Sequence, residues 1–127
     1  MKEVMAVIRM DMINKTKEAL LREGFSSLNC RKVLGRGKKK VDFTLIESMI
    51  SGTEVTSPVV AEAISEGHRL VPKRLLSLVV KDDEVKKVVS TIIYANSRGK
   101  PGDGKIFVMP VTDVIRVRTG EKGLDAI

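Results

Sequence analysis

Apolar positions along the chain fall into two blocks of similar design, separated by a long stretch without a period. In the first block, Lys2–Arg9 carries Val4, Met5, Ala6, Val7 and Ile8 without a break, which predicts a strand covered on both faces. Asn14–Glu23 reads as a helix. Ile13, Thr16 and Leu20 share one face, Asn14 is placed to cap the start, and Gly24 to end it. Ser27–Leu34 then reads as a second strand that enters a Gly35-Arg36-Gly37 turn. The second block repeats the order. Arg74–Val80 is a strand built on Leu75, Leu76, Leu78, Val79 and Val80, and Asp82 or Asp83 caps the helix that follows. In that helix Val85, Val88, Val89, Ile92 and Ile93 hold an amphipathic spacing. A turn-rich segment, Asn96–Gly104, leads to a strand at Lys105–Met109. After Pro110, Val111–Arg118 extends the sheet or forms a further strand, and Thr119–Ile127 (119–127) is a polar C-terminal tail.

The order βαβ–loop–βαβ predicts an α+β fold, a ferredoxin-like split βαβ–βαβ sandwich, in one domain spanning 1–127. Two helices can cover only one face of such a sheet, yet the strands are apolar on both. Self-association that buries the second face is the simplest outcome. Between the blocks, residues 38–72 are rich in Ser, Thr, Glu and Gly. A connection this long inside a compact domain is functional or disordered. Within it, Ser57-Pro58 followed by Val59–Gly67 offers a cap, a first-turn proline and a terminal glycine. A short helix could form there on meeting a partner.

Composition narrows the function. The net charge is +7, but residues 31–40 alone hold Arg31, Lys32, Arg36, Lys38, Lys39 and Lys40. Residues 41–71 set five carboxylates against Arg69. A concentrated positive cluster beside an acidic stretch suits small anions at least as well as a polyanion. Aromatics are 3% of the chain and Trp is absent, so platforms for base stacking are scarce. No apolar run reaches the ~20 residues of a membrane span, and the N-terminus lacks the regions of a signal peptide. One cysteine, Cys30, excludes an internal disulfide, fits a reducing compartment and reads as a buried structural thiol.

The segment Gly99-Lys100-Pro101-Gly102-Asp103-Gly104-Lys105 combines glycines that allow positive φ with two lysines. Backbone N–H groups can approach an anion there. The spacing resembles a phosphate-binding P-loop, but Ile106 stands where Ser or Thr would hold magnesium, and a strand follows instead of a helix. On local pattern alone, a tight basic β-turn fits equally well. Arg116 and Arg118 alternate with Ile115 and Val117. On a strand they would present two guanidinium forks on one side, for phosphate oxygens or for solvent.

With these residues in view, the chain resembles the PII nitrogen-regulatory family. Gly99–Val108 is similar to that family's nucleotide signature and Val114–Glu121 to the arginine-rich segment after it. Val33-Leu34-Gly35-Arg36-Gly37 resembles the approach to the family's T-loop, and Val71-Pro72-Lys73 its exit. The resemblance implies a trimer of ferredoxin-like subunits with ATP or ADP in the clefts between them, with or without magnesium. On this chain it implies nucleotide contacts from Gly37, Lys38, Gly102, Asp103, Gly104 and Lys105, from Val79 at the adenine, and from Arg116 and Arg118 of a neighbouring subunit. It implies 2-oxoglutarate contacts from Gly37, Lys39, Lys40 and Lys73; a lysine supplies a compact charge to a dianion. No protein metal ligand and no catalytic residue are implied.

There are departures. Lys39 stands where the family has a glutamine that helps chelate magnesium and 2-oxoglutarate, and an ammonium cannot ligate a cation. Ser77 replaces an acidic residue. The loop is longer than in most members and holds no tyrosine, since Tyr94 is the only one. A long loop of this kind resembles the nitrogenase-associated branch, most closely its second paralogue. That resemblance implies a homotrimer or a mixed assembly with a PII paralogue, and nitrogenase component protein as the cytoplasmic target, inhibited through the loop. Phe43, Leu45, Ile46, Met49 and Ile50 are candidate anchors, or packing within the loop.

Three other readings compete. One is a ferredoxin-like nucleic-acid-binding module, against which Phe107 as the lone aromatic of the central strands counts. Another is a general PII regulator of an ammonium transporter or a nitrogen-assimilation enzyme. A small enzyme is the third; the single histidine, His68, lies in the loop, and no nucleophile–base pair is legible. The chain therefore reads as a regulator and not an enzyme, with no nucleic-acid partner and no membrane insertion.

Overall fold

The computed structural model describes residues 1–37 and 70–127. Strand β1 (Lys2–Arg9) passes through a 3-10 turn at Met10–Met12 into helix α1 (Ile13–Arg22), and β2 is Asn29–Gly35. Strand β3 (Val71–Val80) passes through a second 3-10 turn, Asp82–Glu84, into helix α2 (Val85–Asn96), and β4 is Lys105–Pro110. The sheet order is β2-β3-β1-β4. Strand β1 runs antiparallel to both neighbours, with Val4 opposite Leu78 on one side and Val108 on the other. The first strand of each block thus lies at the centre, as the split βαβ order requires. The chain divides into two units, Met1–Val33 with Pro72–Ile127, and Leu34–Val71; the core and the candidate site belong to the first. The helix expected at Val59–Gly67, the anchors at Phe43–Ile50, and His68 lie outside the described residues.

Among the described residues the core is one cluster. Val4, Ala6 and Ile8 of β1 and Leu76, Leu78 and Val80 of β3 are buried against Leu20 of α1 and Val88 and Ile92 of α2. The period of two along the strands meets the 3.6-residue period of the helices there. Burying each of the larger side chains contributes about 1.5–3 kcal/mol. On the opposite face, Met5, Val7, Leu75 and Val79 are half-buried, and Phe107 is exposed. Burial within one chain therefore alternates along β1, and the expectation of cover on both faces is met only on the helix side. The two helices share a buried polar tie. Thr16 Oγ1 donates to the Met12 carbonyl at 2.7 Å, and Asn96 Nδ2 donates to Thr16 Oγ1 at 3.0 Å and to the Ile92 carbonyl at 2.9 Å.

Several local expectations need correction. Asn14 does not cap α1. Met12 is buried, and this pulls the chain into a 3-10 turn that winds directly into the helix, with no side-chain cap. Neither Asp82 nor Asp83 caps α2, because the 3-10 turn Asp82–Glu84 winds directly into the helix; Asp82 instead pairs with the Met1 ammonium at 2.9 Å. Gly24 does end α1, at φ 93° with its N–H on the Leu21 carbonyl. Cys30 is exposed, because β2 is an edge strand whose side chains are mostly in contact with solvent. Strand β3 begins at Val71, three residues before the expected Arg74.

The segment Val111–Arg118 does not extend the sheet. It forms a tight reversal closed by an isolated bridge between Ile115 and Lys122. Within it the Arg116 N–H donates to the Glu121 carbonyl, and Gly120 at φ 71° returns its N–H to the Arg116 carbonyl. Tight backbone bonds from Arg116 outcompete strand pairing, and Val117 is left fully exposed.

Candidate anion-binding site

At one end of the sheet the glycine segment folds back over Arg9, the last residue of β1, and Lys73, near the start of β3. Gly99, Gly102 and Gly104 all have positive φ, at 69°, 98° and 118°. At Gly104 a Cβ would overlap the Val7 carbonyl oxygen, so only glycine lets β4 start this close to β1. At Gly102 a Cβ would lie 3.3 Å from Arg9 Nη2 and 3.6 Å from Lys73 Nζ. Two cations therefore converge on a backbone kept bare of side chain.

Asp103 organises the turn. Its Oδ1 accepts from Arg9 Nη1 at 2.6 Å, and its Oδ2 accepts from the backbone N–H of Arg98 at 2.8 Å and of Lys100 at 3.3 Å. The Arg9 bond, helped by the Arg98 and Lys100 N–H groups, lowers the Asp103 pKa from 3.8 to about 2. Arg9 Nη2 also donates to the Pro101 carbonyl, and Lys73 Nζ to the Gly102 carbonyl, both at 3.2 Å. Hydrogen bonding to the charged form is what holds a carboxylate ionised this strongly.

The structure brings Gly102, Asp103, Gly104 and Lys73 together, with Lys105 following at the start of β4. Val79 lies on the same strand as Lys73 and on the same face, but six residues further on, roughly 20 Å away. Gly37 is exposed, and Lys38, Lys39 and Lys40 lie outside the described residues. Arg116 donates to Glu121 Oε1 and to the Asp125 carbonyl, both at 3.2 Å, while Arg118 is exposed on the reversal. The two arginines therefore do not share a strand face. Sequence reasoning missed Arg9. Its signal was faint: a charged residue closing an apolar strand, with the strand register hidden.

The chemistry of this corner fits a phosphate or a carboxylate. Cations and a glycine backbone meet where a side chain would intrude, and Lys100 and Lys105 flank the turn. On the helix side of the same turn, Ile8, Val89, Ile92, Ile93 and Ile106 help to line an open cleft of about 300 Å³. Its mainly apolar walls are unsuited to a polyphosphate. Among the described residues no group of three or more His, Cys, Asp or Glu could hold a metal ion. None of the described helices is long and apolar enough to cross a membrane.

Comparison with known proteins assigns the chain. The family model described as nitrogen regulatory protein P-II matches residues 1–121. A relative from Methanobacterium ivanovii, the nitrogen fixation nifHD region GlnB-like protein 2, is 45% identical, and the match covers 100% of this chain and 99% of the relative. The protein of the same name from Methanothermobacter marburgensis is 43% identical, with all of both chains covered. Among solved structures, Arabidopsis thaliana PII bound to citrate superposes with a TM-score of 0.71 at 35% identity, covering 99% of this chain and 91% of that one. A split βαβ sheet with a glycine turn at its end, in a chain that these relatives match end to end, leads to one conclusion: the chain belongs to the nitrogen regulatory protein P-II family.

Proposed function

We propose that this chain is a nitrogen-status signalling protein that binds ATP or ADP together with 2-oxoglutarate and inhibits nitrogenase by direct contact through the loop at 38–72. The observation that carries the ligand half is the convergence of Lys73 and the Gly102–Lys105 turn. A nucleotide phosphate would be received by the turn and by Lys105, with Arg116 and Arg118 reaching in from a second copy. An extended nucleotide would run along β3 toward Val79. The citrate in the name of the Arabidopsis structure, a small carboxylate, agrees with a carboxylate-receiving corner. Magnesium would arrive on the nucleotide phosphates. The target half is supported by the names of the methanogen relatives, which place them in the nifHD region. The half-buried second face of the sheet supports a trimer, alone or mixed with a paralogue, acting in the cytoplasm.

The ligand half is tested by calorimetry with ATP. Replacing both Arg116 and Arg118 by Ala should weaken binding by roughly 1.5–3 kcal/mol, the scale of hydrogen bonds to charged groups. Unchanged affinity would refute the assignment. The signalling half is tested by nitrogenase assays. Deleting Glu47–Glu66 should abolish inhibition and leave ATP binding intact. Lys73→Ala should preserve inhibition but make it insensitive to 2-oxoglutarate. Persistent inhibition by the deletion variant would remove the loop from the mechanism.

A further inference from the structure

Arg9 and Lys73 face each other directly in the β1–β3 register. Like charges in that relation repel, and the surrounding groups treat the two cations differently. Both terminal nitrogens of Arg9 are taken up by the glycine turn, one by the Asp103 carboxylate and one by the Pro101 carbonyl. Among the described residues Lys73 donates to a carbonyl, that of Gly102, and to no carboxylate. The Asp103 carboxylate in turn gathers the N–H groups of Arg98 and Lys100.

We propose that Arg9 is a positioning residue of this site: its guanidinium neutralises Asp103 and fixes the glycine turn in a form that receives a nucleotide phosphate, leaving Lys73 to the small carboxylate ligand. The inference rests on the nucleotide reading of the turn and adds a division of labour within it. A carboxylate inside a phosphate-binding turn is an electrostatic liability, because an unpaired negative charge at that place repels the incoming anion. Pairing with Arg9 cancels the charge and aims the carboxylate at the backbone of residues 98 and 100. The turn then keeps its shape before any ligand arrives, which lowers the ordering cost of binding. Glycine at 102 is part of the device, since its φ of 98° is strained for other residues and a Cβ there would crowd Arg9 Nη2 at 3.3 Å.

The sign of a double substitution separates this role from a direct one. If Arg9 serves Asp103, the harm done by Arg9→Gln comes largely from the carboxylate it abandons, and removing that charge should undo part of the loss. If Arg9 holds a phosphate itself, the second substitution cannot help. Asparagine at 103 can still accept from the Arg98 and Lys100 N–H groups, so it removes the charge while leaving a cap for the turn.

Two readouts on the intact protein decide the matter: ATP calorimetry and site-resolved amide hydrogen exchange without nucleotide. Arg9→Gln should weaken ATP binding by about tenfold or more, the scale of one charged hydrogen bond. The Arg9→Gln, Asp103→Asn pair should bind ATP more tightly than Arg9→Gln alone. Without ligand, Arg9→Gln should speed exchange at the Arg98 and Lys100 amides, whereas Lys73→Ala should leave both unchanged. Arg9→Lys, which retains the charge, should keep most of that protection and serves if Arg9→Gln folds poorly. A double variant no better than Arg9→Gln, or unaltered exchange in Arg9→Gln, would overturn the proposal. If the unsubstituted protein binds no ATP, the nucleotide reading fails, and the exchange arm still decides the role of Arg9.

Discussion

Arg9 and Asp103 stand 94 positions apart in the chain, yet their side chains meet at 2.6 Å with about a fifth and a quarter of their surfaces exposed. This ion pair sets a pH dependence whose sign is fixed. The folded-state pKa of Asp103, about 2, lies below its ordinary 3.8. Its contribution to stability is therefore full above about pH 4 and is lost as the pH falls toward 2. Melting temperatures of the unsubstituted protein and Asp103→Asn, measured from pH 7 to pH 2, should differ by a constant gap down to about pH 4. The gap should close below that. A gap that persists at pH 2 would show that the ion pair is not its source.

Gly104→Ala should be the most damaging single change in the glycine segment. The new methyl group would run into the Val7 carbonyl, and backbone atoms on both strands would have to shift. Overpacking of this kind, with a φ of 118° added, costs roughly 3 kcal/mol. At Gly99 nothing lies within 4 Å of the added Cβ, so Gly99→Ala should lose only about 1–2 kcal/mol from its φ of 69°. Urea denaturation of the two variants checks the order.

Thr16→Val should cost about 1–3 kcal/mol although its shape is nearly preserved. The hydroxyl is fully buried, it is the acceptor for Asn96 Nδ2, and its own proton is given to the Met12 carbonyl. Thr16→Ser keeps both bonds and should lose only about 0.8 kcal/mol for the missing methyl group. Equal losses in the two variants, by urea midpoint, would remove the hydrogen bonds from the account.

Arg116 and Arg118 should behave differently in the protein without ligand. Arg116 ties Glu121 and the Asp125 carbonyl, so Arg116→Ala should speed hydrogen exchange across residues 116–123. Arg118 is exposed on the turn, and Arg118→Ala should change stability by no more than about 0.5 kcal/mol. If both variants loosen the reversal equally, the local bonds of Arg116 are not what holds it.

The sequence by itself determined what depends on near neighbours in the chain. The apolar runs of Val4–Ile8 and Leu75–Val80 and the period of Val85–Ile92 specified the strands and the second helix, and their order specified the split βαβ sheet; which face of each strand is buried was settled only by the packing of the helices. The glycines at 99, 102 and 104 marked a tight turn with positive φ, because glycine alone adopts that region at no steric cost. Tertiary structure decided what depends on register and competition. Asn14 and Asp82 had the chemistry of caps, but burial of Met12 and the 3-10 turns that precede each helix took that position from them. The Arg116–Arg118 alternation predicted a strand, but a reversal through Gly120 satisfied the backbone sooner. The role of Arg9 was beyond the sequence, which showed only a charged residue closing an apolar strand. Its place beside Asp103 and opposite Lys73 exists only once β1, β3 and β4 pair in one register, and a slip of one residue would turn it to the other face.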